Sequence, residues 1–552
     1  MMMEKAEQLD ELARDFWEWR ARHQPVSGDD LARLERPSDW VPDWSPSAVE
    51  QQRAQRAAFE RRWQQIDPSS GSVSRQVDYR LIGSALARVR WELDLTRGWE
   101  RNPKFYLDQT LVALFEELLR RTPFDDLRSA TVIRLLQSFP RTLEDGKINL
   151  AHTAVRPFAL AALEASRDVR PRLLTVSREL KPLLASEAAA QLDGVTAEAA
   201  RTLESFRDWL RQRLPMMAED SAVGRAGYVF FLKQVALMPF TPEQLLAMGR
   251  QEWERSLAFE AIAQERAKGL PELPLCADQA AQMAREEQDE LMIRRFLEEK
   301  NLLTVPAWVR HYRNLPLPAY VEPLAALGVA DDLTSPTRLD EDGISYIYPP
   351  APTLGYFALA SARDPRPIIV HEGMPGHFFQ LALSWAHENP IRRHYYDSGP
   401  NEGIGFYAEE MMLQAGLFDD SPRTREIIYN FMRLRALRVE VDVKLATASF
   451  TIDEAAEYLR TRTPMDAETA RYEAVFFAST PGQAMTYQIG KLQIIKFLAD
   501  ARRRQGEAFN LRAFHDFVWR NGNVPIALQR WEYLGLSDEI EGLDSGDERG
   551  PA

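Results

Sequence analysis

Ten consecutive residues of the chain read His371-Glu372-Gly373-Met374-Pro375-Gly376-His377-Phe378-Phe379-Gln380. The two histidines are six residues apart, and six steps along a straight α-helix place side chains about 120° apart around its axis. They can bind one metal ion only if Pro375-Gly376 distorts the turn between them, and this dipeptide is chemically suited to do so. The other interpretation is a helix that begins after residues 365–367, with both histidines satisfied by hydrogen bonds. The stretch therefore predicts helical structure here and leaves metal binding open.

A second segment strengthens the metal interpretation. In the zinc-peptidase motif His-Glu-x-x-His, the glutamate beside the first ligand serves as general base, so Glu372 is the candidate base. Glutamate-type zinc peptidases take a third ligand from a second helix, commonly within Asn-Glu-Gly, and Glu402 lies in such a sequence 25 residues after His377. Two imidazoles and one carboxylate leave a fourth coordination position open for water, as in catalytic zinc sites. The alternative for residues 401–403 is a helix N-cap with an acidic first turn, and both interpretations can hold together.

Helical periodicity dominates the rest of the chain. Apolar residues recur at steps of three and four in segments such as Ala197–Arg213, Pro242–Glu265 and Thr424–Ala448, with charged residues between them. Strand signals are scarce. The clearest is Gly343–Tyr348, and Leu354–Ala360 is a candidate partner for it across a turn. The predicted fold class is mainly α, a large helical body with a small β element.

Composition divides the chain into three predicted regions. The Pro-rich passage Leu315–Pro323 separates a helical N-terminal region, residues 1–310, from residues 311–536. The second region holds most of the unusual residues and is the predicted metallopeptidase-like catalytic region. From residue 537 to residue 549 there are six acidic residues against one basic residue. We therefore expect residues 537–552 to form an acidic, mobile tail.

The overall composition excludes several classes of protein. With 45% hydrophobic and 27% charged residues among 552, the chain has enough apolar material for a substantial core, which excludes a mostly disordered protein. The formal charge, 68 − 82 = −14, repels phosphate backbones, so we expect no nucleic-acid partner. The one cysteine, Cys276, excludes an internal disulfide and zinc sites built from several thiolates. The sequence shows no signal peptide and no run of 18 apolar residues, so we expect a soluble, cytoplasmic protein without a membrane partner.

Three ordered motifs resemble those of a known family. The pattern His-Glu-x-x-Pro-Gly-His-x-x-Gln is intact from His371 to Gln380, and Pro-Gly-Gln-Ala-x-x-Tyr-x-Ile-Gly is intact from Pro481 to Gly490. Between them, Glu-Gly-Trp-Ala-x-Tyr-x-Glu appears at Glu402–Glu409, with Ile404 for the Trp and Gly405 for the Ala. In these motifs the chain resembles the bacterial family called domain of unknown function 885, whose members are regarded as zinc metallopeptidases. The resemblance covers roughly the C-terminal half and implies a bound Zn²⁺ and a zincin-type active-site channel beside the helical body.

The chain also departs from this family. Members usually carry Val-Asp-Thr-Gly-Leu-His on a later helix, where this chain has Val441-Asp442-Val443-Lys444-Leu445-Ala446. If the family histidine stabilises the transition state, this chain has lost or replaced it at Ala446. Together with Ile404 and Gly405, this leaves open a repurposed, non-peptidase member that binds a metal or ligand without cleaving peptides.

The motifs assign roles to five principal residues. We predict that His371, His377 and Glu402 bind Zn²⁺, because of their types, their order and the intact first motif. Glu372 would accept the proton of the attacking water and pass it to the leaving amine. Tyr487, in the third motif, is the candidate donor to the carbonyl oxygen of the substrate. The alternative for this tyrosine is a place in the buried core.

Five further residues have predicted supporting roles. Arg471 would hold substrate or orient a carboxylate, and a surface ion pair is its alternative. Glu409 lies two helical turns after the third ligand and, like Asp442, is a candidate hydrogen-bond partner of a ligand imidazole. Their alternatives are a solvated helix face and an internal ion pair. Tyr346 and Tyr348 belong to a strand that could pair with an extended peptide, or their rings could be part of the core.

These residues predict a zinc-dependent metallohydrolase that cleaves peptide or related amide bonds. The alternative class is a non-haem Fe(II) oxidoreductase, because two histidines and one carboxylate also form its facial triad. Glu372 favours hydrolysis, since an oxygenase needs no base beside its ligand. The predicted partner is a peptide or small amide substrate, and the sequence makes no prediction of oligomeric state.

Overall fold

The computed structural model describes residues 2–27, 34–69 and 71–545 of the chain. It is 70% helical with one small sheet, which confirms the mainly α prediction. Before the first strand, the described α-helices are α1 (Met2–His23), α2 (Pro46–Gln64), α3 (Val73–Arg90), α4 (Gly98–Arg101), α5 (Pro103–Leu107), α6 (Ala113–Leu119), α7 (Asp126–Asn149), α8 (Arg156–Ala165), α9 (Val169–Leu180), α10 (Ser186–Arg213), α11 (Arg225–Phe230), α12 (Pro242–Ala267) and α13 (Gln279–Glu299).

The helices that follow the sheet carry most of the predicted site. They are α14 (Tyr356–Arg363), α15 (Arg366–Ile368), α16 (His377–Trp385), α17 (Pro390–His394), α18 (Ser398–Ala415), α19 (Pro422–Ala446), α20 (Ile452–Arg462), α21 (Ala467–Ser479), α22 (Thr486–Gln505), α23 (Leu511–Asn521), α24 (Ile526–Leu534) and α25 (Asp538–Asp544). Wider π-helical turns span Trp91–Thr96, Asp108–Val112, Phe231–Val235 and Ile369–Gly373. Tighter 3₁₀ turns span Lys181–Leu183, Leu214–Met216, Glu322–Leu327 and Gly506–Ala508.

Side-chain caps start several of these helices. At α12, the Thr241 hydroxyl accepts the Gln244 backbone N–H, and the Gln244 side chain accepts the Thr241 backbone N–H in return. Thr451 and Glu454 form the same reciprocal pair at the start of α20. Each pair satisfies two backbone donors that a helix end would otherwise leave without partners. The sequence Thr-Pro-Glu-Gln or Thr-Ile-Asp-Glu therefore fixes where each helix begins.

The sheet has three strands, β1 (Tyr312–Pro316), β2 (Asp331–Asp332) and β3 (Gly343–Ile347), in the order β1-β3-β2. β1 pairs with β3 in parallel and β2 pairs with β3 antiparallel. The predicted strand partner Leu354–Ala360 is wrong, because most of it lies in α14. The alanines and leucine of this segment favour a helix, and both sides of β3 are already occupied by β1 and β2.

The apolar core extends across the predicted boundary at residue 310. One buried cluster joins N-terminal side chains such as Phe16 and Phe139 to Tyr346 and Tyr395 from the second region. Helix α12 packs along α19, and α13 packs against β1. The regions 1–310 and 311–536 are thus packed as one body, and the division between them stays a prediction from composition.

The predicted tail also needs a correction. Residues Asp538–Asp544 form α25, and Ile540 and Leu543 on this helix are buried. An acidic composition does not prevent packing when two apolar residues three positions apart share one helix face. The rest of the predicted tail, residues 546–552, lies outside the described residues.

A close helix crossing brings two of the three sequence motifs together. Gly490 on α22 lies against α18, where a Cβ atom built on it would be 2.2 Å from the Gly399 carbonyl oxygen and 2.7 Å from the Gly403 Cα. No side chain fits at such a distance, so glycine at this crossing allows direct contact between the two backbones. The helix that carries Glu402 is therefore held against the helix that carries Tyr487.

Candidate metal centre

The two histidines meet because the helix is interrupted between them. The π-helical turn Ile369–Gly373 ends in extended backbone at Met374, and α16 begins anew at His377. The intervening Gly376 folds back onto the first turn, where a Cβ on it would lie 1.7 Å from the His371 carbonyl oxygen. The indole N–H of Trp519 donates to the Pro375 carbonyl at 2.7 Å and holds the loop in place. The distortion that the Pro-Gly sequence suggests is thus present in the structure.

His371, His377 and Glu402 converge in the interior. The Oε2 atom of Glu402 lies 3.4 Å from Nε2 of His371 and 3.2 Å from Nε2 of His377. The imidazole rings are nearly perpendicular, with centroids 4.8 Å apart and an interplanar angle of 86°. All three residues are buried, and one ligand atom from each lies within 4.8 Å of the others. The cluster could hold a metal ion.

The two separations from the Glu402 oxygen, 3.4 Å and 3.2 Å, fit a tetrahedral ion. Ligand bonds of about 2.0–2.1 Å, as zinc makes to nitrogen and oxygen, place neighbouring ligand atoms about 3.3 Å apart. Moreover, Nε2 of His377 and Oε2 of Glu402 are buried and have no hydrogen-bond partner among the described residues. Buried polar atoms without a well-formed hydrogen bond are unfavourable, and a cation between the imidazole nitrogen and the carboxylate oxygen would satisfy both. The residues present therefore fit a metal.

The electrostatics of the cluster favour a positive charge at the same point. Burial and Arg435 oppose a charge on the His371 imidazole, but the carboxylates of Glu372, Glu402 and Glu409 raise its pKa to about 9. Burial opposes ionisation of Glu402, yet the two imidazoles hold its pKa well below the ordinary value. Without an ion, the cluster keeps a proton that a metal would displace.

Glu409 lies directly behind the first histidine. Its Oε1 atom is 2.7 Å from Nδ1 of His371 and 2.8 Å from a guanidinium nitrogen of Arg435. The side chain is only 1% exposed, so it is a buried carboxylate rather than part of a solvated helix face. When Nδ1 of His371 donates to this carboxylate, Nε2 is left unprotonated and directed toward the metal position.

Glu372 faces the open side of the cluster. Its Oε2 atom is 3.9 Å from Nε2 of His377, and its side chain is 25% exposed, more than that of any of the three candidate ligands. Oε2 is buried and has no hydrogen-bond partner among the described residues. The carboxylate thus lies close to the cluster without replacing any of its three ligand atoms, as a general base requires.

Tyr487 lies on the other side of the first histidine. Its ring stacks on the His371 imidazole, with centroids 6.2 Å apart and an interplanar angle of 17°. The guanidinium of Arg438 lies over the same tyrosine ring at 4.7 Å, and that of Arg435 lies at 5.7 Å. The tyrosine is half-buried and lines a cavity with the cluster, so the structure brings it into the site.

The two arginines are site residues that sequence reasoning missed. Both are buried, and Arg438 forms a bidentate pair with Glu473 on α21, one bond of which is 3.2 Å long. Arg435 and Arg438 are three residues apart on α19 and therefore share a face. The sequence does contain a signal for them. Both arginines occupy positions that the apolar periodicity of α19 assigns to its buried face.

Asp442 does not contact an imidazole, and its predicted role needs correction. It lies two turns beyond Arg435 on α19, about 10 Å farther along the helix axis. Its carboxylate accepts the backbone N–H groups of Gly482 at 2.8 Å and Met485 at 2.9 Å. Burial raises the pKa of Asp442 to about 7, against these hydrogen bonds. The residue holds the turn from which the helix of Tyr487 begins.

The structure does not bring Arg471 into the site. Its guanidinium pairs with Asp453 at the surface, which is the alternative that the sequence left open. The next two residues on α21, Tyr472 and Glu473, line the cavity instead, because Arg471 points from a different side of the helix. The assignment of Arg471 to substrate is therefore corrected.

Tyr346 of β3 and Tyr348, which follows that strand, do line the cavity, but the strand is not an open edge. Tyr346 is buried and its hydroxyl donates to the Leu119 carbonyl at 2.9 Å, whereas Tyr348 is 43% exposed. The backbone N–H of Tyr346 donates to the Ala330 carbonyl at 2.9 Å, on the β2 side. With β1 on its other side, β3 has no free edge at this point. The prediction that an extended peptide pairs with this strand is therefore corrected, because both sides of β3 are occupied here.

The cluster opens on a cavity of about 460 Å³. Cavities of this size accommodate small-molecule and short-peptide ligands. Much of the wall is apolar or aromatic, and the polar groups are concentrated at the metal cluster, at the two arginines and at the sheet. The apolar wall includes Leu354, Phe357, Ala358, Phe476 and Phe477.

The residues at which this chain differs from the family motifs are not part of the cavity wall. Ala446 is buried in an apolar cluster with Tyr228 and Val443, and Ile404 lies in another part of the core. Neither is among the residues that line the cavity. Gly405 lies under the cluster, where a Cβ would be 3.1 Å from Cε1 of His371 and 3.2 Å from Cε1 of His377. The glycine thus gives the two imidazoles more room than alanine would.

Among the described residues, no helix has both the length and the apolar character that a membrane crossing requires.

Comparisons with solved structures identify proteins of similar fold. The chain is similar to a candidate lipoprotein of unknown function from Shewanella oneidensis, with a TM-score of 0.71, 16% identity and 95% and 98% coverage of the two chains. It is also similar to a candidate lipoprotein from Colwellia psychrerythraea, with a TM-score of 0.67, 17% identity and coverage of 98% and 99%.

These likenesses show a shared fold over nearly the whole chain, and no curated protein is significantly similar in sequence. The family model described as "bacterial protein of unknown function (DUF885)" matches residues 27–531. That range includes β1–β3, the interrupted helix and all three residues of the metal cluster. The chain therefore belongs to the DUF885 family.

Proposed function

We propose that the protein is a zinc-dependent hydrolase that cleaves peptide or related amide bonds. The observation that carries this proposal is the buried group of His371, His377 and Glu402, which opens on a ligand-sized cavity with Glu372 at its edge. Two imidazoles and one carboxylate are the donor set of catalytic zinc sites, which keep one coordination position for water.

Zn²⁺, when bound by these residues, supplies a Lewis acid that lowers the pKa of a coordinated water to about 7. Glu372 accepts the proton of the attacking water, because its carboxylate lies beside the cluster and its Oε2 has no competing partner. The same carboxylate then donates that proton to the amine that leaves. A carboxylate that is partly exposed to the cavity can reach both positions without a change in the protein fold.

Two pairs of residues next to the cluster support this chemistry. Glu409 and Arg435 hold the His371 imidazole in one orientation and one tautomer. The Tyr487 hydroxyl donates to the carbonyl oxygen of the substrate as negative charge develops there. Arg438, which is paired with Glu473, lies over the ring of this tyrosine and fixes the ring from one face.

The position of Glu372 favours hydrolysis over the oxidoreductase alternative. An Fe(II) oxygenase uses the same donor set but requires open positions for oxygen, not a carboxylate base beside its ligands. Glu372 lies 3.9 Å from His377 Nε2 and faces the cavity in which a substrate would bind. Metal identification is part of the test, and iron with oxygen-dependent turnover would replace this proposal.

The experiment compares the zinc-loaded wild-type protein with Glu372→Gln against a peptide library, with products identified by mass spectrometry. We expect the variant to keep its zinc and to lose turnover by about 10²–10⁴-fold, the usual contribution of a general base. Glu388→Gln, at an exposed glutamate outside the cavity, is the matched control and should keep full turnover. Retained turnover in Glu372→Gln would remove this residue from the role, and no cleavage by the zinc-loaded wild type would refute the proposal.

The predictions of partners and of cellular location are carried over from the sequence as proposals. The proposed partner is a peptide or small amide, and we propose neither a nucleic-acid nor a membrane partner. The cytoplasmic location is a prediction that fractionation of the producing cells would test.

A further inference from the structure

Two helices supply much of the apolar lining of the cavity. From α21, the lining includes Thr469, Tyr472, Glu473 and Phe476, at the steps of three and four residues that share one helix face. Further apolar residues come from α14 and from the turn before it. We call the following six residues the aromatic cleft: Leu354, Phe357, Ala358, Tyr472, Phe476 and Phe477.

The rings of the aromatic cleft are only partly covered by the protein. Phe357 and Phe476 pack against a buried core cluster and also line the cavity. Tyr472 is 48% exposed, and its ring stacks on Phe476 with centroids 6.4 Å apart and an interplanar angle of 8°. Two more exposed side chains, Val329 and Tyr348, line the same cavity. Apolar surface that stays open within a concave site is typical of a place where a ligand binds.

The charged groups of the wall do not favour a polar ligand on this surface. Arg435 is paired with Glu409 at 2.8 Å. Arg438 is paired with Glu473 at 3.2 Å, and Glu473 itself lines the cavity. Both guanidinium charges are therefore compensated within the protein. A polar side chain on the aromatic cleft would lose its water without gaining a charged partner, so the lining favours an apolar occupant.

The aromatic cleft begins next to the residues of the proposed reaction. The Arg438 guanidinium lies 4.7 Å from the centroid of the Tyr487 ring, and that ring stacks on His371. The rings of Phe357 and Phe477 lie 5.7 Å and 5.4 Å from the same guanidinium. An extended peptide advances about 3.3–3.6 Å per residue. A peptide bound at the metal cluster therefore reaches the aromatic cleft with a residue close to the bond that is cleaved.

We propose that the aromatic cleft binds a bulky apolar side chain, aromatic or aliphatic, of the peptide substrate. This side chain belongs to one of the two residues on either side of the cleaved bond. The inference rests on the proposed function and specifies its substrate class, which is peptides with a large apolar residue near that bond. Binding removes the apolar surface of the substrate and of the aromatic cleft from water together.

The first measurement is independent of turnover. It uses four short peptides, acetylated and amidated at their ends, that differ only in a central phenylalanine, leucine, alanine or lysine. Their binding to wild-type protein freed of metal with a chelator is measured by calorimetry. We expect the phenylalanine and leucine peptides to bind at least about tenfold more tightly than the alanine and lysine peptides, because only they bury a large apolar side chain. Equal binding of the phenylalanine and alanine peptides, or of the phenylalanine and lysine peptides, would overturn the inference.

Two variants change the aromatic cleft in opposite ways. Phe476→Ala removes a ring from the wall, and Ala358→Trp places a ring in the cavity. Each should reduce the preference for phenylalanine over alanine by at least about fivefold, the first because contact is lost and the second because space is filled. Circular dichroism shows whether each variant is folded, and one folded variant suffices. An unchanged preference in a folded variant would overturn the inference.

The matched control is Phe259→Ala. Phe259 is 42% exposed and stacks on Tyr429 outside the cavity. This variant should keep the full preference for phenylalanine over alanine. A loss as large as that of Phe476→Ala would show that the preference does not come from the aromatic cleft, and it would also overturn the inference.

The second measurement tests the position of the side chain in the substrate. It compares kcat/KM of the zinc-loaded wild type for peptides in which each of the two residues on either side of the cleaved bond is varied among the same four residues. A preference of tenfold or more for phenylalanine or leucine at one of these positions supports the inference. Cleavage with equal rates at every position would overturn the inference and leave the proposed hydrolase function in place. If the apolar peptides bind but none is cleaved, the aromatic cleft stands as a binding site and the hydrolase function fails.

Discussion

Glu409→Gln is the substitution that tests most sharply how the protein orients its candidate metal ligands. The side chain keeps its size but loses its charge, at a position 1% exposed and 2.7 Å from Nδ1 of His371. A neutral amide accepts more weakly from the imidazole and can also turn its N–H₂ group toward it. Removal of such partners typically costs 10–100-fold in metal affinity, or about 1.4–2.7 kcal/mol.

The same substitution leaves Arg435 buried without its partner at 2.8 Å. Breaking a buried ion pair on one side costs about 3–5 kcal/mol of folding stability. We therefore expect two separable effects, a lower stability of the metal-free protein in guanidinium chloride and a weaker zinc affinity in competition with a chromogenic chelator.

Glu410→Gln is the matched control. The neighbouring Glu410 is also buried, but it pairs with Lys491 at 2.8 Å and Arg255 at 2.6 Å and has no contact with the cluster. We expect this variant to lose stability and to keep its zinc affinity. If Glu409→Gln is folded and binds zinc as tightly as the wild type, the reasoning that Glu409 orients His371 is refuted.

Three further predictions concern the surroundings of the cluster. Tyr487→Phe should keep its zinc and lose about 10²–10³-fold in kcat, the usual effect of removing one donor to the developing oxyanion; an unchanged kcat would place the tyrosine in the core only. Gly490→Ala should lower the free energy of unfolding by about 1–3 kcal/mol in a denaturant titration, because a Cβ would be 2.2 Å from the Gly399 carbonyl oxygen. Asp442 should contribute a fall in stability as pH rises from about 4 to about 7, since its pKa is about 7 in the fold against 3.8 ordinarily and the folded state binds the extra proton. Asp442→Asn should reduce this slope, and an unchanged slope would contradict it.

The convergence of His371, His377 and Glu402 could be predicted from the sequence, because their residue types and their order carry the information. A histidine pair six residues apart is uninformative on a straight helix, but Pro375-Gly376 between them indicates the break that the structure contains. The distance of seven residues from Glu402 to Glu409 is two turns and places both on one face of α18. In each case a local periodicity determines the geometry.

Other parts of the site depend on packing between distant segments, which no local pattern reports. In the sequence, Arg435 and Arg438 look like ordinary charged residues of a helix. Only the packing of α18, α21 and α22 around them shows that they are buried in the site. The sequence points to Arg471 on this helix, but the rotation of α21 places Glu473 in the cavity wall instead. The sheet partners of β3 come from the connection after α13, and not from the residues that follow β3.

The most direct test of the account is the metal content of the purified protein, measured by mass spectrometry beside His377→Ala. His387→Ala is the matched control, because His387 lies ten residues away and bonds to the Asn389 backbone outside the cluster. The account predicts about one zinc per chain in the wild type and the control, and none in His377→Ala. A wild-type protein that binds no metal when prepared without chelator, or a His377→Ala variant that keeps its metal, would contradict it.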